Sequence, residues 1–222
     1  MFQRELHWVS ELTDATACSL LTREDALKSS ASPLDVYFVS KALSDLTVRN
    51  FIQEHPDIDI TTLHPSFIYG PYGHGQVYDT PASGTNKYVY TLIDGERGRP
   101  VSGFDPALRG PPMNIDIRDV ARAHVLALKL GPRETPKRFV LSSSTFTWVE
   151  AAKVLAEKRP ELKDRLPVIT GNEPPLGPVA TLDTSKTESV LGMRDYVKWQ
   201  DTVLDTIDDI LRVEREIAER AT

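Results

Sequence analysis

The chain has 222 residues, 40% of them hydrophobic, and a formal net charge of −6. That length can bury a real core, as one large domain or two small lobes, and the negative balance offers no basic face to a nucleic-acid backbone or an anionic membrane. Cys18 is the single cysteine, which excludes intramolecular disulfides and cysteine-based metal clusters and suits a reducing compartment.

The opening MFQRELHWVSEL is charged and lacks the apolar stretch of a signal peptide, and no apolar run is long enough to span a bilayer, so a cytoplasmic protein is expected. Up to residue 34 the pattern is weak: a short apolar patch runs from Ala15 to Leu21, and Thr22 can cap one helical turn in TREDALKS. From Val36 to His55, Val39, Leu43, Leu46, Val48, Phe51 and Ile52 fall near helical spacing, and Pro56 closes the run. DIDITTLHP alternates and is β-branched, which predicts a strand ending at Pro65. A helix followed at once by a strand marks an α/β protein.

Gly70 to Arg109 is rich in glycine, proline and tyrosine around one helical stretch, KYVYTLIDGE, and reads as an irregular excursion over the main sheet. NIDIRDVARAHVLALKL predicts a short strand leading into a helix capped by Asp119, and RFVLSSS a further strand. TWVEAAKVLAEKRPEL is an amphipathic helix capped by Thr145 or Thr147 and ended near Pro160. After the proline-rich loop ITGNEPPLGPV, a last helix spans Asp201 to Arg220 with Val203, Ile207, Ile210, Leu211 and Val213 inward. Its charged residues form a solvated face. His7, His55, His64, His74 and His124 are scattered without the spacing of a metal site, so no metal is expected.

In DVYFVSK, Tyr37 precedes Lys41 by four residues, which places both on one face of a helix. A free phenol has a pKa of about 10, too high for proton transfer near neutrality, and an adjacent ammonium favours the phenolate. Such a pair can protonate the oxygen formed when hydride reaches a carbonyl. The spacing by itself also fits an ordinary surface helix.

DVYFVSKALSDLTVRNF, TLHPSFIYGPYG and NIDIRDVARAHVLAL follow one another in an order that resembles the extended short-chain dehydrogenase/reductase family, closest to its dihydroflavonol-reductase and fungal ketone/aldehyde-reductase branch. The likeness covers roughly Thr22 to Val213. It implies a partial Rossmann-like fold, a doubly wound parallel sheet remnant in residues 1–72 and 113–131, with a smaller α/β substrate-binding lobe in residues 73–112 and 132–222. By the same resemblance Tyr37 is the proton donor, and Lys41 supports it and binds the nicotinamide ribose. Pro65, Ser66 and Phe67 border the nicotinamide ring, Thr85 touches the cofactor phosphates, and Tyr69 and Tyr72 border a small carbonyl or alcohol substrate. NADP(H) is implied ahead of NAD(H) as the family's habit. On plain structural grounds Pro65 is also a strand terminator, Tyr69 and Tyr72 packing aromatics, and Asp116 and Asp119 turn and cap residues.

The family opens with a strand, a GxxGxxG turn and a helix whose amides receive the cofactor pyrophosphate, whereas the first glycine of this chain is Gly70. The family's carbonyl-polarising serine has no counterpart either, since Ser10 and Ser19 follow no convincing strand. Strands missing from such a sheet would leave ITTL with an open edge, which predicts marginal stability, an oligomer, or a partner chain over that edge. Two readings therefore stand: an NAD(P)H-dependent ketone or aldehyde reductase, with epimerase or dehydratase chemistry as the variant within the family, or a truncated, non-catalytic paralogue acting as a binding module.

Overall fold

The computed structural model describes residues 22–73, 75–101, 113–132, 137–173 and 182–221. Ser10, Cys18 and Ser19 lie outside them, as do most of the ITGNEPPLGPV loop and residues 102–109 of the excursion.

Helix α1, Arg23–Ala26, is opened by Thr22, whose hydroxyl accepts from the Asp25 amide while the Asp25 carboxylate accepts from the Thr22 amide. Ser32 and Asp35 repeat this reciprocal cap at α2, Pro33–Glu54, where proline at the first position presets the helical φ. After the connection 55–60 the chain forms β1, Thr61–Pro65, then β2, Phe67–Tyr69. The expected helix in the excursion shrinks to α3, Asn86–Tyr90, followed by turns. β3, Met113–Asp116, runs directly into α4, Ile117–Leu128. β4, Lys137–Leu141, and β5, Ser144–Thr145, divide what the sequence presents as one strand, because the chain leaves the ladder at Ser142 and Ser143. Then come α5, Trp148–Lys158, a 3-10 turn at Pro160–Leu162, α6, Ser185–Leu191, and α7, Trp199–Arg220.

Two small sheets result. β1 pairs in parallel with β4, in register from Thr61 opposite Lys137 to Pro65 opposite Leu141, and the Ser66 amide adds a 2.8 Å bond to the Leu141 carbonyl. β2 pairs in parallel with β3, which is flanked antiparallel by β5. The expected α/β class with partial Rossmann-like parallel pairing is what the chain adopts. The second edge of β1 has no strand partner among the described residues, and β1 is only half-buried where β4 is almost wholly buried.

One apolar cluster joins Tyr69, Val89, Leu92, Ile93, Phe146 and Trp148 to the inner faces of α5 and α7. A second gathers Ile115, Val120, Ala123, Phe139, Leu141, Leu191 and Met193 between β3, β4, α4 and α6. The N-cap of α4 is Asp116, not Asp119 as the sequence pattern predicts: Asp116 is extended and its carboxylate accepts from the Arg118 amide at 2.8 Å. Asp119 sits in the first turn, buried, where it accepts from the Val197 amide at 2.9 Å. Thr147 is the cap of α5, with Glu150 as its reciprocal partner.

Candidate active site

α2 carries Tyr37 and Lys41 on one face, and the Lys41 Nζ lies 5.5 Å from the centre of the Tyr37 ring. The connection 55–60 turns the chain back, so β1 runs against α2. Asp45 of α2 is 3.7 Å from His64 of β1, which sets the level of the helix on the strand. At about 1.5 Å per helical residue, Lys41 lies about 6 Å and Tyr37 about 12 Å from that level along the helix. Both side chains are open to water, Tyr37 by 53%.

At the strand end, Pro65 is exposed and Ser66 is half-buried, with its hydroxyl enclosed and without a hydrogen-bond partner. An enclosed hydroxyl of that kind suits a polar group arriving from outside the chain. The Phe67 ring stacks on Tyr69 and meets Tyr88 of α3 edge-on. Thr85 precedes α3 as its N-cap residue, but its hydroxyl donates to the Ile68 carbonyl instead of capping the helix. Its neighbour Asn86 donates to the Gly70 carbonyl at 2.8 Å and keeps its side-chain oxygen buried without a partner. Asn86 has no signal in sequence, since a lone polar residue at a helix start reads as surface.

Tyr69 and Tyr72 part company. Tyr69 is 1% exposed and packs its ring against Phe146 and Trp148, so it fills the core instead of bordering an open surface, and burial pushes its phenol above the usual range. Period-2 alternation in the three residues of β2 sends one side inward, and Tyr69 is on it. Tyr72 is half-exposed and held at three points: its amide donates to Asp209 of α7 at 2.6 Å, its hydroxyl donates to the Pro81 carbonyl, and the Ser83 amide donates to that hydroxyl. Its ring lies 4.1 Å from that of Tyr78.

Asp116 is fully buried behind these residues. Burial raises its pKa, but hydrogen bonds from Arg118 and Thr202 outweigh that and hold the carboxyl below the ordinary value, as suits a structural anion. Asp119 goes the other way: burial pushes it up against the opposing pull of the Val197 amide and Arg122. Among the described residues no cluster of His, Cys, Asp or Glu is arranged to hold a metal, and no helix is long and apolar enough to cross a membrane.

Tyr37 and Lys41 thus share one exposed face of α2, and the Ser66 hydroxyl is enclosed without a partner at the end of β1. No glycine-rich strand-to-helix turn for a cofactor pyrophosphate is present among the described residues, and the sequence has no glycine before Gly70.

Residues 13–142 match the model of the NAD dependent epimerase/dehydratase family. The chain is 29% identical to the NADPH-dependent methylglyoxal reductase GRE2 of Saccharomyces cerevisiae, over 84% of this chain and 54% of that protein. It is 31% identical to the ketoreductase azaE of Aspergillus niger, over 82% of this chain and 52% of that protein. Among solved structures, the yeast methylglyoxal/isovaleraldehyde reductase Gre2 complexed with NADPH superposes with a TM-score of 0.67 at 28% identity, covering 83% of this chain and 53% of that one. The chain belongs to the NAD dependent epimerase/dehydratase family, the extended short-chain dehydrogenase/reductases, and its relatives include fungal ketoreductases. It spans about half the length of the curated relatives it matches.

Proposed function

We propose that this chain carries the nicotinamide-side half of an NADPH-dependent ketone or aldehyde reductase. The observation that carries the reading is the Lys41 ammonium 5.5 Å from the Tyr37 ring centre, in a chain of this family. The relatives named as NADPH-dependent reductases support the choice of cofactor and of a carbonyl substrate.

Bound NADPH supplies the hydride. The Tyr37 phenol gives its proton to the carbonyl oxygen as negative charge develops there, and the phenolate left behind is stabilised by the Lys41 charge. Lys41 keeps ammonium donors for a ribose hydroxyl. Ser66 offers its hydroxyl, and Pro65 and Phe67 their backbone carbonyls and apolar surface, to the nicotinamide ring. Thr85, whose hydroxyl donates to the Ile68 carbonyl, is the candidate for a cofactor phosphate, and the half-exposed Tyr72 for the substrate side. Ligands lying over Tyr37 and Lys41 would displace water and strengthen the coupling between them.

Replacing Tyr37 with Phe removes the proton and leaves the ring. Carbonyl-dependent NADPH oxidation should fall by about 10²- to 10⁴-fold, and unchanged turnover would contradict the mechanism. An unaltered chain that turns over no aldehyde or ketone and binds no NADPH would instead favour the binding-module reading, which the missing phosphate cradle supports.

A further inference from the structure

The helix that bears Tyr37 and Lys41 is attached to the sheet in an unusual way. Among the described residues Val39 is the one apolar side chain of α2 that is fully buried, and no α2 residue belongs to either core cluster. Val36, Tyr37, Leu43, Leu46 and Phe51 are all exposed. At mid-helix, however, Asp45 reaches the sheet. Its carboxylate binds the Arg138 guanidinium from β4, with Arg49 at 3.3 Å and His64 at 3.7 Å. Arg138 is buried, and so is Lys137 beside it, which pairs with Asp59 in the connection between α2 and β1. A strand opening with two buried cations is costly unless each has a counter-charge, and here both counter-charges come from the α2–β1 unit.

Tyr37, Lys41 and Asp45 are spaced i, i+4 and i+8, one stripe of the helix. An aspartate four residues after a lysine is itself a natural ion-pair partner for it. Arg138 engages that aspartate, and the Lys41 Nζ is found over Tyr37. We propose that the Asp45–Arg138 pair is a positioning device for the Tyr37–Lys41 pair. It fixes the level of α2 on the sheet, and it keeps Asp45 from drawing the Lys41 ammonium away from the phenol. This rests on the reductase reading for its functional part.

Arg138→Gln removes the guanidinium that reaches Asp45 from the sheet, leaving Arg49 and His64 beside it, and should let Asp45 turn toward Lys41; adding Asp45→Asn removes the competing charge. Hydrogen exchange of the α2 amides reads the anchor without any turnover. It should quicken about tenfold in Arg138→Gln, a local opening of the helix, with the β3 and α7 amides unchanged, and recover in part in the double variant. For turnover, Arg138→Gln should lower kcat by about ten- to a hundredfold with KM for the carbonyl little changed, and the double variant should regain part of kcat. A purely structural role predicts that kcat falls and KM rises together as α2 opens. That joint change, or unchanged α2 exchange in Arg138→Gln, overturns the proposal while leaving the Tyr37 mechanism standing. If Arg138→Gln does not fold, Asp45→Asn alone, which keeps an acceptor oxygen, must still quicken α2 exchange or the proposal is overturned. An unaltered chain that oxidises no NADPH sinks the reductase reading and the positioning role with it.

Discussion

Gly70 ends β2 with φ at 139°, and a Cβ there would stand 2.6 Å from the Ile117 Cγ2. Ile117 opens α4 and is β-branched, so it cannot swing aside freely. Gly70→Ala should therefore lower stability by about 2 kcal/mol, read as a shifted urea midpoint; a midpoint within experimental error of the parent would contradict this close approach. His64 makes a pH prediction. Burial, followed by the charge of Arg138, holds its pKa below the ordinary value, so the unfolded chain takes up the proton first. Stability from neutral His64 should be complete above about pH 6.5 and drain away as pH falls toward the lowered folded value. His64→Gln should flatten that window relative to the parent, and an unaltered slope would contradict the assignment. At this scale the shared helix face of Tyr37 and Lys41 was legible, because it depends on helical spacing alone. Tyr69 was not, because which face of a three-residue strand turns inward depends on the aromatic cluster of Phe146 and Trp148, distant in sequence.

Elements with a local signature are where the sequence places them. The caps Thr22 and Thr147 are set by residues three apart, and α7 follows the apolar stripe Val203, Ile207, Ile210 and Val213, whereas α2 starts at Pro33, three residues before the Val36 that its apolar spacing predicts, because Ser32 and Asp35 cap it. α6 has no such stripe and gains its place from Thr187, whose hydroxyl donates to the Val140 carbonyl of β4, and from Leu191 in the second cluster. β5 is two residues long and exists through its pairing with β3, which no window of local sequence contains. The shift of the α4 cap from Asp119 to Asp116 has the same origin. Asp116 is fixed by Arg118 nearby but also by Thr202 on α7 at 2.7 Å. Thr202→Val removes that bond to a buried carboxylate and should cost about 1.5–3 kcal/mol by urea unfolding; a loss below about 0.5 kcal/mol would mean the pair carries no net stability.

For the whole molecule, α2 presents five large apolar side chains to water and β1 has an edge with no strand partner among the described residues. Exposed apolar rows and open edges of this kind associate. Sedimentation should show a mass that rises with concentration in the micromolar range, and Leu43→Glu together with Leu46→Glu should reduce the rise; a strictly monomeric chain at every concentration would contradict the expectation of an oligomer. An edge of ITTL without a strand partner was expected from sequence, whereas the ionic attachment of α2 through Asp45 and Arg138 joins residues far apart in sequence and emerges in the fold alone. The reductase reading turns on whether the Tyr37–Lys41 helix and the end of β1 hold a reduced nicotinamide without the family's glycine-rich loop. Titration of the full chain with NADPH, followed by nicotinamide fluorescence, asks this directly. Saturable binding that weakens about tenfold, roughly 1.4 kcal/mol, on Lys41→Ala is the result expected; no saturable signal up to millimolar NADPH, or binding indifferent to Lys41, would contradict it.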